Sequence, residues 1–292
     1  MKKLLLLMFA SFVFAQLLAV AAGTQFLAQP ETYQQFDNPG DVSHSLVFFG
    51  YVLLSAVVLL LVLKYYRGNA FFLIVELFLL FVSLWILFEL ALPSMYALGI
   101  ALVIVALRLA FPRAREFLLL IATSVVGALI GTWLDLLPAA LFAVLLSGYD
   151  LVAVFYTKHM IALAKGLDSR GASFSIQFSS GEASKVRVAK ASLSAATAKR
   201  VPVRRSEGTI ELIELGTGDI VIPAMLTVAA LKISFYAAAA SLAGSVIGIL
   251  LLFYLLEKRR GYWPALPPIA GCTLAATVLY LLYSGGLAGV LG

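Results

Sequence analysis

Apolar residues along this chain come in unbroken runs rather than in strict alternation, and a run of about 20 such residues reads as a membrane helix. The runs fall at residues 3–22, 45–63, 70–90, 93–107, 117–134, 136–156, 211–231, 233–256 and 267–290. A β-barrel would need alternating lipid-facing and lumen-facing positions. Helices are the remaining way to satisfy every backbone group inside lipid. The pattern therefore predicts an all-α polytopic membrane protein with nine transmembrane helices.

The polar residues between the runs set an orientation. With Lys2 and Lys3 inside, Lys64 and Arg67 fall on that same side. So do Arg108, Arg113 and Arg115, the long segment 157–210, and Lys258 to Arg260; of the 21 Lys and Arg only Lys232 lies elsewhere. The first outer loop carries Glu31, Asp37 and Asp41 and no Lys or Arg. Positive residues collect on the cytoplasmic side, so the N-terminus is expected inside and the C-terminus outside, which requires an odd number of spans. Lys232 is expected to snorkel to the interface. Residues 1–23 also have the form of a signal peptide, with a charged start and small residues near Ala19 to Gly23. Their apolar run is nearer span length, and on either reading the next loop lies outside.

Three parts follow from this order: residues 1–156 with helices 1–6, a cytoplasmic loop at 157–210, and residues 211–292 with helices 7–9. Within the loop, Ser173 to Phe178 alternates apolar and polar, Ser180-Gly181-Glu182 can turn, and Lys185 to Lys190 alternates again. That is the pattern of a small β-hairpin. The adjoining Thr209 to Leu215 could offer an extended edge to a substrate strand.

Composition narrows the chemistry. At 62% hydrophobic residues over 292 positions the chain is too apolar for a soluble domain. Its net charge of +6 flanks spans instead of covering a soluble surface, so no nucleic-acid partner is expected and a cell-membrane, multi-pass location is. Cys272 is the single cysteine, and His44 and His159 both lie outside the runs. Neither a disulfide framework nor a metal site of the H-E-x-x-H kind can be built from them, and no His stands at depth for a Ser–His pair. No metal and no cofactor is expected.

What remains are acids at membrane depth, where an ionisable group is costly and marks function by default. Asp150, in Ser147-Gly148-Tyr149-Asp150, is about six residues from the inner end of the sixth run. Asp219, in Glu214-Leu215-Gly216-Thr217-Gly218-Asp219, is about eight from the inner start of the seventh. At roughly 1.5 Å per residue both lie some 9 to 12 Å from the cytoplasmic boundary. The two spans run in opposite directions, so equal depth lets the side chains meet. Two carboxyls in hydrogen-bond reach cannot both ionise and share one proton, the arrangement that activates water against a peptide carbonyl. Gly216 and Gly218 bracket Thr217 and leave room beside the acid. Pro264-Ala265-Leu266-Pro267-Pro268 is expected to keep the start of the last span non-helical.

Glu76 also lies deep in a span, and its expected role is a protonated helix-to-helix hydrogen bond. Glu89 and Asp135 read as interfacial. Glycines spaced by four at 127–131, 244–248 and 285–289 read as helix-packing faces.

Tyr149-Asp150, Gly216-Thr217-Gly218-Asp219 and Pro264-Ala265-Leu266, in this order on helices six, seven and before nine, resemble the presenilin and signal peptide peptidase family of intramembrane aspartyl proteases. The likeness is greatest to its archaeal presenilin homologues and spans nearly the whole chain. It implies a nine-helix bundle and an intramembrane-cleaving aspartic endopeptidase of the GxGD type, with Asp150 and Asp219 as the catalytic pair. Pro264, Ala265 and Leu266 would position substrate beside Tyr149, Gly216, Thr217 and Gly218. It further implies transmembrane helical proteins as substrates, unwound and cut within the bilayer, and leaves room for a homo-oligomer. Thr217 departs from the apolar residue more usual between the glycines of eukaryotic members and leaves the acid intact. The competing reading is a proton- or cation-coupled transporter or channel, which also places acids in spans; the internal repeats it would favour are not evident in the sequence.

Overall fold

The computed structural model describes residues 2–66, 68, 70–111, 114–153, 175–179, 212–258 and 264–286. The apolar runs form helices α1 (Lys2–Ala28), α3 (Ser43–Tyr65), α4 (Ala70–Glu89), α5 (Ser94–Ala110), α6 (Arg115–Trp133), α7 (Leu136–Leu151), α8 (Gly218–Leu231), α9 (Phe235–Lys258) and α10 (Leu266–Ser284), with a short α2 (Pro30–Tyr33) after the first. Six of them (α1, α3, α4, α6, α9 and α10) are long and apolar enough to cross a membrane. The other apolar helices, α5, α7 and α8, are shorter.

The core of the bundle is α8, whose residues from Ile220 to Ala230 are nearly all buried. Its neighbours reach it through residues without bulk. A Cβ on Gly127 would meet Ala224 Cβ at 2.7 Å, and one on Gly131 would meet the Met225 carbonyl oxygen at 2.5 Å. On α1, a Cβ at Gly23 would meet Val228 at 2.7 Å. The α6 pairings ascend together along both chains, as do those of α1, where Gln16 meets Ile220 and Gly23 meets Val228, so α1 and α6 each run parallel to α8. Gly244 sits against Cys272 and Thr273, and Gly248 against Pro268 and Ile269; that descending match makes α9 and α10 an antiparallel pair. Small residues let helix backbones approach closely in lipid, where burial between helices gains little hydrophobic energy. Gly285 has a different task from the packing face expected of it. With φ at 72° it takes the left-handed conformation that ends α10.

One end of the bundle is tied by polar contacts. Trp133 donates its indole N–H to the Tyr33 carbonyl at 2.8 Å, and Ser45 its hydroxyl to the Pro138 carbonyl at 2.8 Å. Lys232, expected to snorkel alone, instead pairs with Asp135 at 3.0 Å, joining the end of α8 to the residue before α7. At the opposite end of α4, Glu76 is not a neutral hydrogen-bonding acid. Both its oxygens accept from Arg115 Nε at 3.1 Å, and Oε1 also accepts from Arg108. Two arginines assigned to a loop by their charge fold inward and tie α4, α5 and α6 into one buried charge cluster.

Further sequence expectations need correction. The seventh run does not begin as a helix at 211. Residues Leu212–Gly216 form strand β2, which pairs antiparallel with β1 (Ser175–Ser179), Ser175 opposite Gly216 and Ser179 opposite Leu212. The first arm of the expected hairpin is therefore a strand whose partner lies beside α8; residues 185–190 fall outside the described residues. β2 carries Leu212, Ile213 and Leu215, apolar residues that read as well in a strand as in a span. The proline stretch is also less extended than expected. The helix begins at Leu266, and Pro267 and Pro268 occupy its first turn, where a missing N–H costs nothing.

Two substitutions separate close packing from open surface. Gly131→Ala drives a Cβ into the Met225 carbonyl and is expected to destabilise by about 1–3 kcal/mol, the usual cost of overpacking. Gly99→Ala, where nothing lies within 4 Å, should leave the melting temperature in detergent unchanged or slightly raised. Glu76→Ala removes the carboxylate that Arg108 and Arg115 both bond, leaving Arg115 its contact with Glu116, and is expected to cost about 3–5 kcal/mol in the same assay.

Candidate functional site

Asp150 is on the last regular turn of α7, where it is buried at 8% exposure; at 152–153 the backbone widens into a π turn. Asp219 is on the first turn of α8, partly accessible. It therefore stands two residues past the strand-to-helix junction, not eight residues inside a helix. The two carboxyls lie close enough that Asp219 feels the charge of Asp150.

Each acid is met by a backbone N–H from a different break in the helical pattern. The Leu266 N–H lies near the Asp150 carboxyl. Leu266 opens α10, and the first N–H groups of a helix have no partner inside it. Pro267 and Pro268 have no N–H to offer, so Leu266 supplies the free donor of that turn, at the end of the helix that favours negative charge. The Gly216 N–H lies near the Asp219 carboxyl, which folds back over the junction between β2 and α8. A Cβ on Gly216 would come within 2.9 Å of Asp219 Oδ2; glycine is what allows this approach. Around Gly218, by contrast, nothing lies within 4 Å, so that glycine leaves space open beside the acid.

The expected neighbours divide. Pro264 and Leu266 are buried and Ala265 partly so, all three at the foot of α10 beside Asp150. Tyr149 meets Phe49 of α3 edge-on, with ring centroids 6.4 Å apart. Thr217 accepts the Ile220 and Val221 N–H groups at its carbonyl, at 3.2 and 3.0 Å, starting α8. An open groove of about 300 Å³ runs between α7 and α10, lined by Ser147, Gly148, Leu151, Pro267, Ala270 and Gly271 among others. Gly148 and Leu151 flank Asp150, so the groove passes along the acid's helix. Among the described residues no three His, Cys, Asp or Glu come together as a metal-binding group.

The sequence profile of the signal-peptide peptidase, presenilin aspartyl protease family matches residues 9–286. The chain belongs to this family. Two solved structures of a presenilin family intramembrane aspartate protease, in C222 and P2 crystal forms, share the fold. The first has a TM-score of 0.65 at 22% identity, over 94% of this chain and 97% of that one. The second has 0.61 at 22%, over 92% and 95%. No curated protein matches the chain.

One polar residue of this region was not singled out by sequence. Gln16, in the middle of α1 and wholly buried, donates from Nε2 to the carbonyl of Ile220, next to Asp219, at 3.2 Å. The signal was there as a lone amide in an otherwise apolar run.

The two glycines make a paired test. Gly216→Ala should push the Asp219 carboxyl aside and cut cleavage of a transmembrane-helix peptide by roughly 100-fold, the scale of a 1 Å misplacement. Gly218→Ala meets nothing within 4 Å in the protein itself and should leave the melting temperature unchanged, so that any fall in its cleavage rate reports substrate excluded from that space.

Proposed function

We propose that this protein is an intramembrane aspartic endopeptidase of the GxGD type, hydrolysing peptide bonds within the transmembrane helices of other membrane proteins through Asp150, Asp219 and a water molecule. The observation that carries the reading is the pairing at the inner ends of α7 and α8. Two acids within reach of each other's charge are each supplied with one backbone donor, beside a groove.

In this reading one carboxyl begins ionised and takes a proton from the water as it attacks the scissile carbonyl. The other begins protonated, hydrogen-bonds the carbonyl oxygen, and later helps protonate the leaving amine. Leu266 and Gly216 hold the acids in place, so that neither has to reorganise as charge moves. A helix has its carbonyls bonded internally and must open before water can reach one. The strand pair β1–β2, leading into Asp219, and the broken backbone at Pro264 offer extended segments against which an opened substrate can pair. Tyr149, Thr217, Gly218 and Ala265 would lie along its path.

The same reading has nine spans, the N-terminus inside, residues 157–210 in the cytoplasm as the link between six helices and three, and residence in the cell membrane. The parallel course of α1, α6 and α8 supports it, since first, fifth and seventh spans of one topology must share a direction.

The test is cleavage by purified protein of a peptide containing one transmembrane helix, read by mass spectrometry. Wild type should cut within the helix. Asp150→Asn and Asp219→Asn should each lose at least about 1000-fold, since an amide can neither take the proton nor return it. Cleavage surviving both substitutions would overturn the mechanism. Absence of cleavage by any form, together with proton flux in liposomes, would favour the transport reading.

A further inference from the structure

A glutamine in the middle of a membrane helix needs a reason. Gln16 is fully buried, its Nε2 spends a hydrogen bond on the Ile220 carbonyl, and its Oε1 has no hydrogen-bond partner among the described residues. A buried amide satisfied on one side only is a poor device for stability, because the unpaired oxygen carries its full desolvation cost. Departures from local rules of this kind are expected where function sets the requirement.

The carbonyl it binds belongs to a weakened turn. Pro223 lies inside α8 and has no N–H for the carbonyl four residues before it, which is that of Asp219. Behind that turn the chain is a strand and before it the packing is loose, with Gly218 exposed and nothing near its Cβ. Further along, the same two helices are locked, Gly23 of α1 against Val228. From Gln16 to Gly23 is seven residues and from Ile220 to Val228 eight, so the amide bond and the glycine contact are two points of one parallel helix contact. The glycine contact fixes the far end. Among the described residues the amide supplies the side-chain hydrogen bond from α1 to the turn that carries Asp219.

We propose that Gln16 is a positioning residue that holds the Asp219 turn at its depth and rotation relative to Asp150. The proposal rests on the aspartyl-protease reading given above. Gln16 touches neither substrate nor water in this role; it acts through the backbone of Ile220.

The experiment compares kcat and KM for the transmembrane peptide, and the melting temperature in the same detergent, for wild type, Gln16→Met and Gln16→Glu. Methionine keeps the length and removes the donor. It is expected to lower kcat by on the order of ten-fold, a fraction of the loss for a displaced group, with KM within about two-fold and a melting temperature equal to or above wild type. The carboxyl introduced by Gln16→Glu can donate only when protonated, so the ratio of its kcat to that of wild type should rise as pH is lowered. Taking the ratio at each pH cancels the titration of Asp150 and Asp219. The other ionisable residues on elements packed against α1 are Arg115 and Glu116 on α6, Glu31 and Tyr33 on α2, Glu214 on β2, and Tyr236, Tyr254, Glu257 and Lys258 on α9; those on the helices stand at or near helix ends, whereas Gln16 is central.

Wild-type kcat in Gln16→Met, or activity that falls only in step with a lowered melting temperature, overturns the proposal. So does a ratio for Gln16→Glu that is flat with pH, which also decides the matter if the methionine variant does not fold. Should wild type cleave nothing, or should Asp219→Asn cleave as well as wild type, the protease reading itself fails and this role fails with it.

Discussion

A carboxyl placed at membrane depth needs donors brought to it, because hydrocarbon offers none. The rest of this architecture can be read as the means of bringing them. A continuous helix consumes its own N–H groups and has none to give. The chain therefore breaks its helices at two places beside the acids: a strand turns into α8 at Gly216–Gly218, and α10 starts abruptly at Leu266. Both breaks release backbone donors, and each stands near one of the two carboxyls. The two prolines after Leu266 sharpen this, since they start a helix while leaving a single free N–H at its mouth.

Donors are useful only if the acids stand level, and the outer ion pair helps to set that. Asp135 precedes α7 and Lys232 follows α8, and they meet at 3.0 Å. From Asp135 to Asp150 and from Lys232 to Asp219 the two antiparallel helices climb about 22 Å and about 20 Å at 1.5 Å per residue. Rails of nearly equal length, pinned at one end, bring the acids to the same height at the other. The packed glycines of α1 and α6 then fix α8 sideways. Register, depth and rotation are thus carried by different kinds of contact, the last of them by Gly23, Gly127, Gly131 and the Gln16 amide.

How much of this could be read in advance follows from which signals are local. Helix positions were legible because a lipid-exposed helix must be apolar along its whole length, and Asp150 and Asp219 stand out in the sequence because they violate that rule. Strand β2 was not. Leu212, Ile213 and Leu215 are apolar, and hydropathy has no means of telling a strand from the first turn of a span. The pairing of β2 with β1 joins residues more than thirty positions apart, beyond any local pattern. Glu76 was found, but its state was misjudged. Arg108 and Arg115 counted as loop charges, and only the packing of α4, α5 and α6 shows them turned inward. Lys232 and Asp135 failed to announce each other for the same reason, being 97 residues apart. Gln16 carried a legible signal, a polar side chain in an apolar run, that charge-based reading passes over.

The two acids do not stand on equivalent supports. Asp219 rises from the most buried helix of the bundle, held by α1, α6 and α9 and by short interhelical contacts such as Thr227 to Ser241 at 3.1 Å. Asp150 rises from α7, which borders an open groove on one side and on the other α3, none of whose apolar window is buried. Elements with few buried contacts open most readily. The contact between Phe49 and Tyr149 lies on that yielding side, one residue from Asp150. The two acids thus stand on supports of unequal burial, Asp219 on a helix enclosed on all sides and Asp150 on one that borders a groove and an exposed neighbour, so strain applied to the bundle is expected to be taken up on the Asp150 side first.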